Sequence, residues 1–294
     1  MDRVLGDKKT ILMLLGPALL VYTLVMLVPV LISLGYTFFE GNAITGFSFV
    51  GLDNITRLFH DPDVRHALWF TLKYAVILTT LQVALGYGMA ILYVFALKRG
   101  SGVVRTLLFF PVVLPTVAVA LLFQKFFEIA PQTGPVNAIL NSLGFASVDW
   151  FGDAGHAFVV LILMDLWRSA GFYAVLLYAG LVDIPEEMLE AARLEGAGTL
   201  QLIRHIVVPL SMPVLLSSLV FSINGTLKVF DSVVALTNGG PGSETTPLTL
   251  YMFQTSFSYG EYGYGASIAL MLTVLCLLFT IFVFRSSRRD VTES

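Results

Sequence analysis

The sequence predicts an all-α integral membrane protein with six transmembrane helices. Two features of its composition point there first. The 294-residue chain is 56% hydrophobic and only 13% charged, where soluble domains are nearer a quarter charged, and its mean hydropathy is +0.83. The third feature is its patterning. Apolar segments near 11–35, 70–97, 105–127, 157–180, 211–236 and 265–284 are each long enough to cross a bilayer. An isolated segment in lipid must satisfy its own backbone as a helix, and runs this long do not match the short alternating strands of a membrane barrel. Residues 1–294 are expected to form one transmembrane domain.

Each segment has its own justification. Lys8 and Lys9 precede the run Ile11–Leu34, which at 1.5 Å per residue covers roughly 36 Å. That is too long for a signal-peptide core, and no small-x-small cleavage site follows, so a retained first helix is expected. Gly86, Gly88 and Ala90 stud the second segment and allow close helix approach. Pro111 and Pro115 fall in the third and read as ordinary bundle packing, since neighbours re-satisfy a kinked backbone. The fourth and fifth carry charges. The sixth holds Cys276, the single cysteine, which cannot form an internal disulfide.

Basic residues set the orientation. Arg3, Lys8, Lys9, Lys98, Arg99, Arg105, Arg193, Arg204, Arg285, Arg288 and Arg289 fall in one set of connecting segments, and only Arg57 and Arg65 in the other. The positive-inside rule therefore places both termini, the 98–104 loop and the 183–209 stretch in the cytoplasm. The loops 36–69, 128–156 and 237–264 face outward. Asn54-Ile55-Thr56 on the first of these matches a glycosylation triplet, a pattern common by chance.

Charge within an apolar span is expensive and faces a cavity, a partner or an interface. Asp165 with Arg168, and Lys228 with Asp231, are each spaced i, i+3 and can neutralise one another on one helix face. They read either as structural ion pairs or as the polar lining of a path through the membrane. Asn224, four residues before Lys228, extends a polar stripe and tips the reading to the second.

Between the fourth and fifth spans lies a polar insert, residues 183–209. Asp183 can cap a helix whose first turn holds Pro185, Glu186 and Glu187. Gly196 and Gly198 end it, Thr199 can cap a second short helix, and Pro209 ends that one. Ala191, Ala192 and Gly196 form a low surface, suited either to docking in a partner's groove or to lying on the membrane as a linker. No phosphate-binding loop, nucleophile elbow or zinc-ligand spacing is present. The net charge of −3, without a basic tract, gives no sign of nucleic-acid binding.

Glu190-Ala191-Ala192, three residues, Gly196, nine residues, then Ile206-Val207-Val208-Pro209 resembles the EAA-x3-G-x9-I-x-L-P motif of ATP-binding-cassette (ABC) importer permeases. It departs at Val208, where Leu is usual, and at Glu195, where Asp is more common. Residues 236–257, LTNGGPGSETTPLTLYMFQTSF, are similar to an outer loop of the maltose-type carbohydrate permeases. So are GPVNAIL at 134–140 and FVGLDNITRLF at 49–59.

The resemblance implies a permease subunit with no catalytic role and no cofactor of its own. Its partners would be a second related permease, two ATPases that use ATP and magnesium, an extracytoplasmic solute-binding protein and the lipid bilayer. It would be a multi-pass protein of a prokaryotic cytoplasmic (inner) membrane. The insert would be the coupling helix, with Glu190, Ala191, Ala192, Gly196, Ile206 and Pro209 carrying the ATPase-coupling motif. The path for a sugar or polyol would draw on Trp167, Tyr173, Asn224, Lys228 and Asp231, with aromatics stacking on sugar faces and polar groups bonding hydroxyls. The alternatives are an ion-coupled secondary transporter using Asp165 or Asp231, which should show an inverted repeat, and a membrane-embedded enzyme.

Overall fold

A computed structural model describes residues 8–42, 44–97, 100–129 and 132–291. Arg3, Lys98 and Arg99, used above to orient the chain, lie outside the described residues, as do the side chains of Lys8, Lys9, Arg288 and Arg289. Among the described residues, five helical segments are long and apolar enough to cross a membrane: Ile11–Tyr36, Pro62–Phe95, Ala154–Val182, Thr199–Leu227 and Tyr262–Arg285. A sixth crossing is available only as a broken pair.

The elements follow in order. Helices α1 (Lys8–Tyr22) and α2 (Val28–Tyr36) are joined by a π-turn, Thr23–Leu27. Strands β1 (Phe39–Asn42) and β2 (Gly46–Phe49) form an antiparallel hairpin. Next come α3 (Asp53–His60), α4 (Pro62–Phe95), α5 (Ser101–Val113), α6 (Thr116–Phe126) and α7 (Pro135–Ser142). Helices α8 (Ala154–Val182), α9 (Glu186–Leu194) and α10 (Thr199–Leu202) follow, then a second π-turn, Ile203–Val207, and α11 (Val208–Leu227). The chain closes with α12 (Asp231–Leu236), α13 (Leu248–Phe253), a third π-turn at Gln254–Ser258, and α14 (Tyr262–Val291).

Proline chemistry explains where the spans depart from expectation. The third segment is not one helix: α5 and α6 meet at 96°. Leu114 precedes Pro115 and is extended, with φ −72° and ψ 140°, because a residue before proline is forced out of the α region. Pro111 lies inside α5 without ending it. Pro29 and Pro209 have a different effect. Each follows a valine, and in each case the valine N–H reaches back five residues, Val28 to Thr23 and Val208 to Ile203. A π-turn of this kind re-satisfies a ladder that proline would otherwise interrupt. Pro209 therefore does not end a short helix. The rod runs unbroken from Thr199 to Leu227, and it stops there, not at residue 236.

Contacts divide the chain into two compact units, Met1–Val64 with Met252–Met271, and Arg65–Tyr251 with Leu272–Ser294. In the first, Asn54 is buried and its Nδ2 donates to the carbonyls of Thr37 (3.1 Å) and Phe39 (2.8 Å). Its amide is thus committed to structure, and the asparagine of the glycosylation triplet is not offered to solvent. Arg57 pairs with Glu261 at 2.6 Å and lies over the Tyr264 ring, whose hydroxyl donates to Asp61 at 2.5 Å.

In the second unit, Phe70, Tyr74, Leu78, Leu161 and Met164 pack with Val229 and Val233. Glycine allows α5 and α8 to touch backbone to backbone, since a Cβ on Gly171 would lie 1.8 Å from the Leu108 carbonyl oxygen. Gly86 likewise presses on Tyr173, whereas Gly88 faces open space. Asp153 caps α8, its carboxylate accepting the His156 N–H at 2.9 Å.

Candidate functional site

Two features of the second unit form the candidate site: a polar cavity and the short helix α9. The cavity has a volume of about 360 Å³. The middle of α8, the middle of α4 and the break between α11 and α12 position its walls. Among the path candidates, Tyr173, Lys228 and Asp231 line it, while Trp167 and Asn224 do not. The Trp167 ring lies against Phe123, with centroids 5.9 Å apart. Asn224 donates through Nδ2 to the Val220 carbonyl (2.9 Å) and to Thr280 Oγ1 (3.0 Å), so it ties α11 to α14. The expected polar stripe through Asn224 is therefore absent from the cavity wall.

The charge pairs also divide. Asp165 and Arg168 form an ion pair on α8, with Arg168 Nε 3.5 Å from the carboxylate. Lys228 and Asp231 do not share a helix face. Lys228 caps the end of α11, Asp231 opens α12, and among the described residues no ion pair joins them. The helix breaks between them, which leaves an ammonium and a carboxylate lining the cavity separately.

Asp165 is the centre of a network that its sequence spacing did not reveal. Tyr74 and Ser232 each donate a hydroxyl to its carboxylate, the latter at 2.7 Å. The network continues along the cavity wall. Ser169 donates to the Asp165 carbonyl (2.6 Å), Gln82 donates to Ser169 (2.7 Å), and Ser222 donates to Gln82 (2.6 Å). Buried polar groups must be paired, and here pairing joins α4, α8, α11 and α12. The signal was present in part, since Tyr74, Leu78 and Gln82 recur every fourth residue and so share one face of α4.

Helix α9 sits at the other end of the same rod. Pro185 precedes it and Glu186 and Glu187 fill its first turn, where acidic groups favour the helix dipole. Asp183 is not its cap but ends α8. The C-terminus closes with Gly196 at φ +90°, where the Gly196 N–H donates to the Arg193 carbonyl (3.0 Å) and the Ala197 N–H to Ala192 (2.9 Å). That pair of bonds is a Schellman motif, which requires a left-handed residue and so favours glycine. Gly198, not Thr199, caps the next helix, and its N–H donates to Gln201 Oε1 at 2.8 Å.

Glu190, Ala191, Gly196 and Pro209 are exposed, and Ala192 and Ile206 are half-buried. Leu194 is 90% exposed beside the glycine turn, an apolar side chain that its own chain leaves uncovered. Among the described residues no group of three His, Cys, Asp or Glu is placed to hold a metal.

Known proteins resemble this architecture throughout its length. The profile of the family described as "Binding-protein-dependent transport system inner membrane component" matches residues 82–289. The sulfoquinovosyl glycerol transport system permease protein SmoG of Agrobacterium fabrum is 32% identical over 286 residues, covering 97% of this chain and 92% of the relative. The trehalose/maltose transport system permease protein MalF of Thermococcus litoralis is 33% identical over 240 residues, covering 82% and 80%. A chain from the crystal structure of a bacterial ABC transporter involved in the import of the acidic polysaccharide alginate superposes with a TM-score of 0.84 at 22% identity, covering 98% of both. The chain belongs to the family of binding-protein-dependent transport system inner membrane components, the multi-pass permeases of ABC importers.

Proposed function

We propose that this chain forms half of a carbohydrate path across a prokaryotic inner membrane and couples it to ATP hydrolysis in partner subunits. The observation that carries the proposal is the unbroken rod Thr199–Leu227. One end of it follows the Gly196 turn of α9, and the other reaches the cavity at Phe221 and Ser222. At 1.5 Å per residue the start of the rod lies about 33 Å from Phe221. A push on α9 therefore reaches the cavity wall through one stiff element and the hydrogen-bonded network around Asp165.

The remaining parts follow from the family. α9 docks on an ATPase through Glu190, Ala191, Ala192 and the exposed Leu194. Two ATPases bind and hydrolyse ATP with magnesium, a second permease completes the pore, and a solute-binding protein delivers substrate from outside. Both termini are cytoplasmic. Curated relatives named for glycosides and disaccharides support a carbohydrate substrate. Tyr173 offers an aromatic face, and Lys228 and Asp231 offer one donor and one acceptor for hydroxyls. The ion-coupled alternative through Asp165 or Asp231 is not favoured, because the relatives are permeases of binding-protein-dependent importers; the carboxylate of Asp165 is in addition already engaged by Tyr74, Ser232 and Arg168.

Cross-linking tests the docking. With Cys276→Ala as background, Leu194→Cys is expected to form a cross-link to the ATPase subunit in the assembled importer. Free reaction of that cysteine with a water-soluble maleimide, and no cross-link, would overturn the proposal.

A further inference from the structure

The hairpin that follows the first span has two unlike faces. Opposed residues on an antiparallel pair share a face, and alternate residues change face. Phe39 opposes Phe49 and Gly41 opposes Phe47, so one face is aromatic. Glu40 opposes Ser48 and Asn42 opposes Gly46, so the other is polar. The aromatic face is bare, with Phe49 72% and Phe47 41% exposed. Its orientation is held firmly, because buried Asn54 bonds the carbonyls of Thr37 and Phe39 at the base of β1.

The position of this face identifies what covers it. Only Thr37 and Phe38 separate the end of α2 from β1, so β1 starts within about 10 Å of Tyr36. None of the most apolar stretch of the first span is buried within the chain. Tyr36, in its last turn, stacks on Phe47 with ring centroids 4.9 Å apart and planes at 27°. The aromatic face is thus continuous with the surface of a membrane-spanning helix that the rest of the chain leaves uncovered, and the end of a span is where aromatic rings favour the headgroup boundary. We propose that the hairpin Phe39–Phe49 is an interfacial anchor that lays Phe47 and Phe49 into the outer lipid leaflet and turns Glu40 and Ser48 to water. It fixes the depth and tilt of the first span, and it does so independently of which solute is carried.

Paired spin labels test this. Phe49→Cys and Ser48→Cys are made separately in a Cys276→Ala background and labelled with a nitroxide. The assembled importer is reconstituted in vesicles of phosphatidylethanolamine and phosphatidylglycerol, and retained ATP-driven uptake shows that the labelled protein is folded. Phe47→Cys serves as a second report on the same face should the label at 49 impair assembly. The ratio of collisions with oxygen, which concentrates in lipid, to those with a water-soluble nickel chelate is expected to be several-fold higher at 49 than at 48. Equal ratios with free nickel access at both would overturn the proposal. So would low access to both reagents at 49, which marks a protein partner, or protection that appears only when the solute-binding protein is added.

Discussion

Replacing Gly196 separates backbone conformation from side-chain contact in the coupling turn. A Cβ built there meets nothing within 4 Å, so added bulk finds space within the chain. The cost lies in φ +90°. A left-handed conformation costs an ordinary L-residue roughly 1–2 kcal/mol, a factor of about 5–30 in the population of the native turn. Asn and Asp tolerate the region best, and a β-branched residue worst. Gly196→Asn, Gly196→Asp, Gly196→Ala and Gly196→Val are therefore graded probes. In proteoliposomes holding the assembled importer, uptake per ATP hydrolysed should fall in the order Gly, Asn, Ala, Val. Asn and Asp carry similar backbone costs, so a further drop at Asp measures the charge alone. Normal coupling in the valine variant, or an asparagine variant as impaired as valine, would refute the reasoning.

Other substitutions probe the cavity and the packing behind it. Lys228→Ala should raise the KM for solute while ATP hydrolysis persists, whereas Asn224→Ala should lower thermal stability and leave KM unchanged, because its amide bonds α14 and not the cavity; solute titrations of uptake and melting in detergent distinguish the two. Asp165→Ala leaves the buried hydroxyls of Tyr74 and Ser232 without their acceptor, and a buried polar group left unsatisfied costs roughly 1–3 kcal/mol, so the detergent-solubilised complex should melt markedly earlier. Asp165→Asn keeps an acceptor for one of the two hydroxyls of Tyr74 and Ser232 and offers the other an amide N–H that a hydroxyl oxygen can accept, so it should cost less. Gly171→Ala forces α5 and α8 apart and should destabilise by about 1–3 kcal/mol, measured by thermal aggregation, while Gly88→Ala should be close to neutral.

The spans were legible because lipid imposes one demand, a long apolar run, and the sequence states it plainly in five places. The sixth was harder to read. Periodicity saw apolar residues on both sides of Leu114, and only the constraint that Pro115 places on its neighbour turned one span into two helices at 96°. Pro209 misled in the opposite direction, since a π-turn one step upstream absorbs it. The turn at Gly196 was readable because a Schellman motif is local, with every partner within six residues. The cavity was not readable in this way. Whether Asn224 faces Lys228 or Thr280 depends on how α14 packs against α11, and no spacing within α11 encodes that. Asp165 announced itself as a buried charge, but two of its partners, Tyr74 and Ser232, lie 91 and 67 residues away in the chain.

The energy source tests the central claim most directly. The assembled importer is reconstituted with its solute-binding protein in sealed vesicles, with and without trapped ATP and with and without a protonophore or sodium gradient. Uptake that requires ATP on the α9 side, requires the binding protein and persists when ion gradients are collapsed is the predicted result. Uptake that follows the proton or sodium gradient and ignores ATP would contradict it.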